Sequence, residues 1–322
     1  METNFPPNLG LELVRATEAA SICAGRWVGL GKSQEADLCT AEEMLNVLNS
    51  MNIDSIVVIG EESKPDHNSV FTSQQHIGKR GGAQVDLIVD PIDGRTQLAQ
   101  GYPGAISAAA VAPRNTIWNP SPAIYMEKII VDAQVAPYLV PECMDAPAAW
   151  TLALVARTKN VEVKNLKVFL LDRPRHADLI DEIRNTGAHV MLRPDGDIVG
   201  ALMVCTPEGG VDLMMGTGGT TEGLLAACAV KSSQGGMLGR LDPQSENEKS
   251  AVTSAGLEVN RIFGLNDIVT SDQIFFTATG ITDGPLFSGV TYHGDRAETD
   301  SLILRSKTHT RRKIITEHLL ED

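Results

Sequence analysis

The stretch Val85-Asp86-Leu87-Ile88-Val89-Asp90-Pro91-Ile92-Asp93-Gly94 decides how this chain is read. Its apolar, β-branched start predicts a buried strand over Val85–Val89. Open α/β sheets place ligands at the carboxyl ends of their strands, and Asp90 stands at that end. Pro91 cannot extend a ladder, so the chain is expected to turn there and bring Asp93 round beside Asp90, with Gly94 permitting a left-handed or closely packed backbone. A second predicted strand, Ile53–Ile59, ends in the same way at Gly60-Glu61-Glu62. If the two strands are neighbours, Glu61, Asp90 and Asp93 converge. Two carboxylates ~4 Å apart repel by about 4 kcal/mol at an effective dielectric of about 20, so such a group requires protons or cations. Hard divalent cations, Mg²⁺ or Mn²⁺, suit an all-oxygen ligand set. The plain alternative is that Asp-Pro-x-Asp-Gly is turn chemistry and nothing more.

Outward from this segment, apolar residues spaced by three and four predict helices over Leu9–Val28 and Ala36–Asn49. Further strands are expected at Ala105–Ala112 and Ile129–Val131, then a helix at Ala146–Lys159. The second half alternates: strand Leu166–Leu171, helix His176–Asn185, strand Val190–Leu192, helix Ile198–Val204, strand Val211–Met215, helix Thr220–Lys231. Asp242–Ser250 reads as a loop, and Ile274–Thr279 and Leu302–Arg305 read as closing strands. Alternation of this kind predicts a layered α/β architecture. A division into residues 1–145 and 146–322 is expected, near Pro141–Pro147.

Three further segments carry candidate chemistry. Gly216-Thr217-Gly218-Gly219-Thr220-Thr221-Glu222-Gly223 predicts a glycine-rich turn into a helix, whose N-terminal N–H groups attract anions. A capping arrangement explains it equally well. Arg173-Pro174-Arg175-His176 could grip phosphate through guanidinium forks, or form a solvated loop. Gly31-Lys32-Ser33 looks like the end of a P-loop, but Arg26 stands where that motif requires glycine; likewise Thr221 spoils a dinucleotide fingerprint.

The chain of 322 residues carries 27 Lys and Arg against 41 Asp and Glu, a net charge of −14. This balance opposes nucleic acid and anionic membranes as partners. The one basic cluster, Arg305, Lys307, Arg311, Arg312 and Lys313, is short. No apolar run approaches the ~18 residues of a membrane span, and the N-terminus has no secretory pattern. Cys23, Cys39, Cys143, Cys205 and Cys228 are odd in number and widely spaced, so they read as small core residues of a cytoplasmic protein without disulfides or a zinc site.

Taken with Arg15–Ala20, Ala36-Asp37, Tyr125-Met126-Glu127-Lys128, Pro194-Asp195-Gly196-Asp197 and Thr277–Thr282, these blocks resemble the class II fructose-1,6-bisphosphatases of the lithium-sensitive, metal-dependent sugar phosphatase superfamily. The resemblance covers nearly the whole chain. It implies an αβαβα five-layer sandwich and a cytoplasmic enzyme of gluconeogenesis that removes the 1-phosphate of fructose 1,6-bisphosphate. Mn²⁺ or Mg²⁺ would be held by Asp37, Glu61, Asp90, Asp93 and Glu222. Asp93, Gly94, Arg95, Tyr125, Arg173, Pro174, Arg175, Asp195, Gly196, Asp197 and Gly219 match positions that hold the sugar bisphosphate. Glu61, Asp93 and Thr96 would carry catalysis, and a homo-oligomer, dimer or tetramer, is expected. One departure concerns water activation: Arg95 follows the Asp-Gly pair where the family has a threonine, and threonine comes one residue later as Thr96. Lys32 is also displaced, and Ser63 replaces an acidic residue. Two alternatives remain open at this level: a phosphatase for sedoheptulose 1,7-bisphosphate or another sugar or polyol phosphate, and a catalytically weakened, metal-binding relative that senses a sugar phosphate or serves in an assembly.

Overall fold

The computed structural model describes residues 6–60 and 70–320. The chain forms two compact units, Met1–Asn119 with Ser271–Asp322, and Pro120–Thr270. The position 145/146 falls inside the second unit, just ahead of a helix.

The first unit opens with helices α1 (Leu9–Gly25) and α2 (Ser33–Ser50), followed by strands β1 (Ile53–Val57), β2 (His76–Gly78) and β3 (Ala83–Asp93), the short helix α3 (Arg95–Gln100) and strand β4 (Ile106–Pro113). Leu9, Leu13, Ala16 and Ala20 recur at helical spacing along α1, and Ala41, Met44 and Leu48 do so along α2. Both stripes are buried with Val85, Leu87 and Val89 of β3 and Ala109 and Val111 of β4 in one core. β1 and β3 are parallel neighbours, as the sequence reading required, so their carboxyl ends lie at the same edge of the sheet.

The second unit is inserted here. It runs β5 (Tyr125–Val131), α4 (Ala148–Lys159), β6 (Lys167–Leu171), α5 (Ala177–Asn185), β7 (His189–Arg193), α6 (Asp197–Cys205), β8 (Leu213–Gly219), α7 (Thr220–Ser232), β9 (Gly236–Leu241), α8 (Glu246–Ser254), β10 (Phe263–Gly264) and α9 (Leu265–Ile268). The six strands form a mixed sheet in the order β10-β9-β5-β8-β6-β7. Alternate residues Ile129 and Val131 of β5 pack with Leu152, Val155, Ile180 and Ile183 of α4 and α5. Lys128, one residue before Ile129, therefore points to the opposite face of the sheet.

The chain returns to the first unit for β11 (Phe275–Gly280), β12 (Thr291–His293), β13 (Arg296–Arg305) and β14 (Thr310–Leu319). That sheet has eight strands, in the order β12-β13-β11-β4-β3-β1-β2, with β14 on the outer side of β13. Both sheets are mixed and carry helices, which is the α/β class expected.

Four readings are corrected. The chain does not turn at Pro91, because β3 continues through Asp93. The glycines Gly216, Gly218 and Gly219 belong to β8 and pair antiparallel with β5, Gly216 doing so at a positive φ of 112°. The loop at Asp242–Ser250 contains the start of α8, whose cap is Ser245 accepting from the Glu248 N–H. Cys23 and Cys39 are joined in a disulfide, with Cα atoms 6.5 Å apart. Their separation of 16 residues carried no signal because the α1–α2 hairpin, a tertiary feature, brings them together.

Candidate active site

In the first unit the chemistry sits where β3 ends. Asp90 pairs with Ala108 and Asp93 with Ile106, so β3 holds one residue more than β4 between these positions. This is a β-bulge, and Pro91, which has no N–H to give a ladder, lies within it. Asp90 and Asp93 are three apart and would point to opposite faces of a regular strand. The extra residue re-phases the strand, and since paired residues share a face, both carboxylates lie on the face of Ala108 and Ile106. Asp90 and Asp93 are only 2% and 4% exposed. Asp90 Oδ1 accepts the Ile92 N–H at 3.1 Å, which stabilises the bulge.

Gly94 then opens α3 in the left-handed region, with φ 104°. A side chain there would be strained, and its Cβ would come within 3.0 Å of the Ala105 backbone. Arg95 is the first residue of α3, and its Nε lies 3.1 Å from Asp37 Oδ1 on α2. Arg95, in the family's threonine position, thus places a cation on a carboxylate expected to bind metal. Thr96 is exposed. Glu61 lies outside the described residues. Among the described residues no group of three or more His, Cys, Asp or Glu is gathered as a metal cage.

The second unit assembles most of the residues expected to hold sugar phosphate. Arg173 pairs with Asp195. The guanidinium of Arg175 lies 5.2 Å from the centre of the Tyr125 ring, and its Nε and Nη2 donate to the Thr217 carbonyl at 3.1 and 2.8 Å. Gly196 is left-handed like Gly94 and places Asp197 at the start of α6. A Cβ on Gly218 would collide with Asp197 Oδ2, and one on Gly219 with Glu222 Oε2, so the two glycines let these carboxylates lie against β8. Pro174 opens the 3₁₀ turn that carries Arg175.

Two residues lie in motifs quoted from the sequence but were given no role there. Lys128 on β5 is fully buried, and its Nζ lies 3.2 Å from Asp197 Oδ1. Neither atom has an aligned hydrogen-bond partner among the described residues. The signal was present, since a lysine inside the apolar strand Tyr125–Val131 is anomalous. His176, 3% exposed, has Nδ1 on the Leu171 carbonyl at 2.7 Å and Nε2 accepting the Thr217 N–H at 2.8 Å. These contacts require the neutral Nδ1–H tautomer. Burial lowers its pKa from the ordinary value, and the charges of Arg175 and Lys128 act in the same direction. His176 therefore ties the arginine turn to β8, while Thr217 Oγ1 donates to Asp242 at 2.6 Å.

Residues 7–318 match the family model described as bacterial fructose-1,6-bisphosphatase, glpX-encoded. A fructose-1,6-bisphosphatase class 2 of Haemophilus influenzae is 35% identical over 327 aligned residues, covering 98% of this chain and 97% of that protein. The fructose-1,6-bisphosphatase 1 class 2 of Escherichia coli K12 is 32% identical, covering 97% and 96%. With the sheet-end carboxylates, the arginine turn and the buried Lys128–Asp197 pair set in a chain matched almost end to end, this protein belongs to the bacterial, glpX-encoded fructose-1,6-bisphosphatase family.

Proposed function

We propose that this protein hydrolyses fructose 1,6-bisphosphate to fructose 6-phosphate and inorganic phosphate in the bacterial cytoplasm. The observation that carries the reading is the bulge that turns the buried carboxylates Asp90 and Asp93 to one face at the end of β3. Buried carboxylates on one face of a strand end suit a hard cation, and oxygen-only donors select Mg²⁺ or Mn²⁺. Asp37, Glu61, Asp90, Asp93 and Glu222 would hold it. Bound there, the metal would supply Lewis-acid stabilisation of phosphoryl charge and a lowered pKa for water.

The chain's own residues do the rest. Arg173 and Arg175 bind the 6-phosphate; because Arg175 commits Nε and Nη2 to Thr217, it offers phosphate its remaining nitrogen, Nη1. Asp195 and Asp197 accept hydrogen bonds from sugar hydroxyls, and Tyr125 flanks the sugar. The N-terminal N–H groups of α7 orient the 1-phosphate. Glu61 and Thr96 orient the attacking water. Its oxygen forms the new bond to phosphorus as the P–O bond to the sugar breaks, and the sugar oxygen leaves with a proton.

Phosphate release from fructose 1,6-bisphosphate is expected with Mg²⁺ or Mn²⁺ and is expected to vanish with a chelator. Absence of release with either metal, from a protein whose melting curve shows it folded, sinks the reading.

A further inference from the structure

Of the three aspartates expected to hold metal, Asp37 is the open one. Its side chain is 24% exposed, whereas Asp90 and Asp93 are almost fully buried. The Arg95 side chain, with Nε 3.1 Å from Asp37 Oδ1, is 26% exposed.

Packing sets this contact. Ala36, Ile92 and Leu98 are buried in one small core. Ala36 precedes Asp37 on α2, Ile92 precedes Asp93 on β3, and Leu98 lies three residues beyond Arg95, on the same side of α3. The segment entering α2 is also bonded to α3, with the Gly29 N–H donating to the Leu98 carbonyl at 2.8 Å and the Gly31 N–H to that of Ala99 at 3.1 Å. The backbones of α2 and α3 are therefore held together, while the charged ends of Asp37 and Arg95 remain within reach of solvent and of ions.

A guanidinium and a divalent ion compete for the same carboxylate lone pairs, and their positive charges repel each other. A partly exposed ion pair is held weakly, so a metal ion can displace the arginine. Once released, the guanidinium needs another anion, and its planar fork suits phosphate.

We infer that Arg95 is an exchangeable counter-ion, an assignment that rests on the reading of Asp37 as a metal ligand given above. It neutralises Asp37 while the metal is absent and passes to a phosphate group of the substrate when a divalent ion takes Asp37. Without phosphate, the ion must displace Arg95 with no compensating partner for the arginine, and binds weakly. With phosphate present, Arg95 exchanges one anion for another and the cost falls. Metal and phosphate thus strengthen each other's binding through this residue, and by linkage the effect is reciprocal.

The test is calorimetric titration of Mn²⁺ into the full chain stripped of metal, with no substrate and no turnover. Arg95→Ala is expected to lower the Mn²⁺ dissociation constant about tenfold. Arg95→Gln, which keeps a long polar side chain without the charge, is expected to do the same. In an Asp37→Asn background the gain from Arg95→Ala should largely disappear. Added inorganic phosphate should tighten Mn²⁺ binding by about tenfold more in the natural protein than in Arg95→Ala. Melting curves check that each variant is folded. Equal Mn²⁺ affinity with and without the Arg95 charge would overturn the inference and leave the hydrolase reading standing. A gain undiminished in Asp37→Asn would show Arg95 acting as a general positive charge and not at Asp37, and a phosphate effect of the same size without Arg95 would remove the exchange; either result overturns it. Failure of the natural protein and of every variant to bind Mn²⁺ would sink this inference together with the metal-dependent reading of the site.

Discussion

Lys128 shows how much one residue can decide. An ammonium with no exposure is costly to desolvate, and an apolar side chain of similar volume is often no worse for stability. Its placement against Asp197 gives it a different use, which is to hold the carboxylate that accepts sugar hydroxyls. Lys128→Met is expected to raise KM for fructose 1,6-bisphosphate about tenfold to a hundredfold with a smaller change in kcat. In an Asp197→Asn background the effect should largely disappear; a full additive effect there would show that Lys128 does not act through Asp197. His176 gives a pH dependence whose sign follows from its lowered pKa. Below about pH 6.5 the unfolded chain takes up protons that the folded His176 resists, so its contribution is complete above that pH and is lost as the pH falls. Melting temperature is therefore expected to drop on acidification below this point, and His176→Gln should flatten that slope. An unchanged slope would assign it to other groups. The carboxylates Asp90 and Asp93 were legible because strand-end acids stand out in an apolar run. Lys128 and His176 were harder to see, since their roles depend on Asp197 and Thr217 respectively, which lie far from them in sequence.

At the scale of elements, β-branched runs and helical spacing located most of the structure, and tertiary pairing changed its meaning in two places. Asp-Pro-x-Asp-Gly reads locally as a turn, yet pairing with β4 extends β3 through it and converts the misfit into a bulge. The glycines before α7 read as a turn, yet β5 holds them as strand, where their lack of Cβ makes room for Asp197 and Glu222. Gly94 is the hinge of the first arrangement. Gly94→Ala is expected to cost about 1–3 kcal/mol in denaturant unfolding, from its positive φ together with the approach to Ala105. Gly81→Ala is the control, because Gly81 also has positive φ but open space around it. Equal costs at the two positions would mean that the contact with Ala105 contributes nothing.

For the molecule as a whole, the charge of −14 opposes a bisphosphate unless cations intervene. Two divalent ions would add about four positive charges locally and reverse the field that an incoming phosphate meets. Calorimetry should therefore show binding of fructose 1,6-bisphosphate with Mg²⁺ and at least about tenfold weaker binding after chelation. Equal binding under both conditions would mean that the arginines alone hold the substrate. The second unit supplies all of the sugar-phosphate candidates from Tyr125 to Gly219, and it is an insertion whose ends, at 119/120 and 270/271, no shift in composition marks. By itself the sequence determined the class of the fold, the position of most helices and strands, and the carboxylates and arginines suited to phosphate chemistry. These follow from local periodicity and residue chemistry, which act over a few neighbours. Only the tertiary structure decided the bulge that turns Asp90 and Asp93 to one face, the Arg95–Asp37 and Lys128–Asp197 pairs and the Cys23–Cys39 bond. Each of these depends on which distant segments meet, and pairing register and helix packing set those meetings through burial summed over the whole chain.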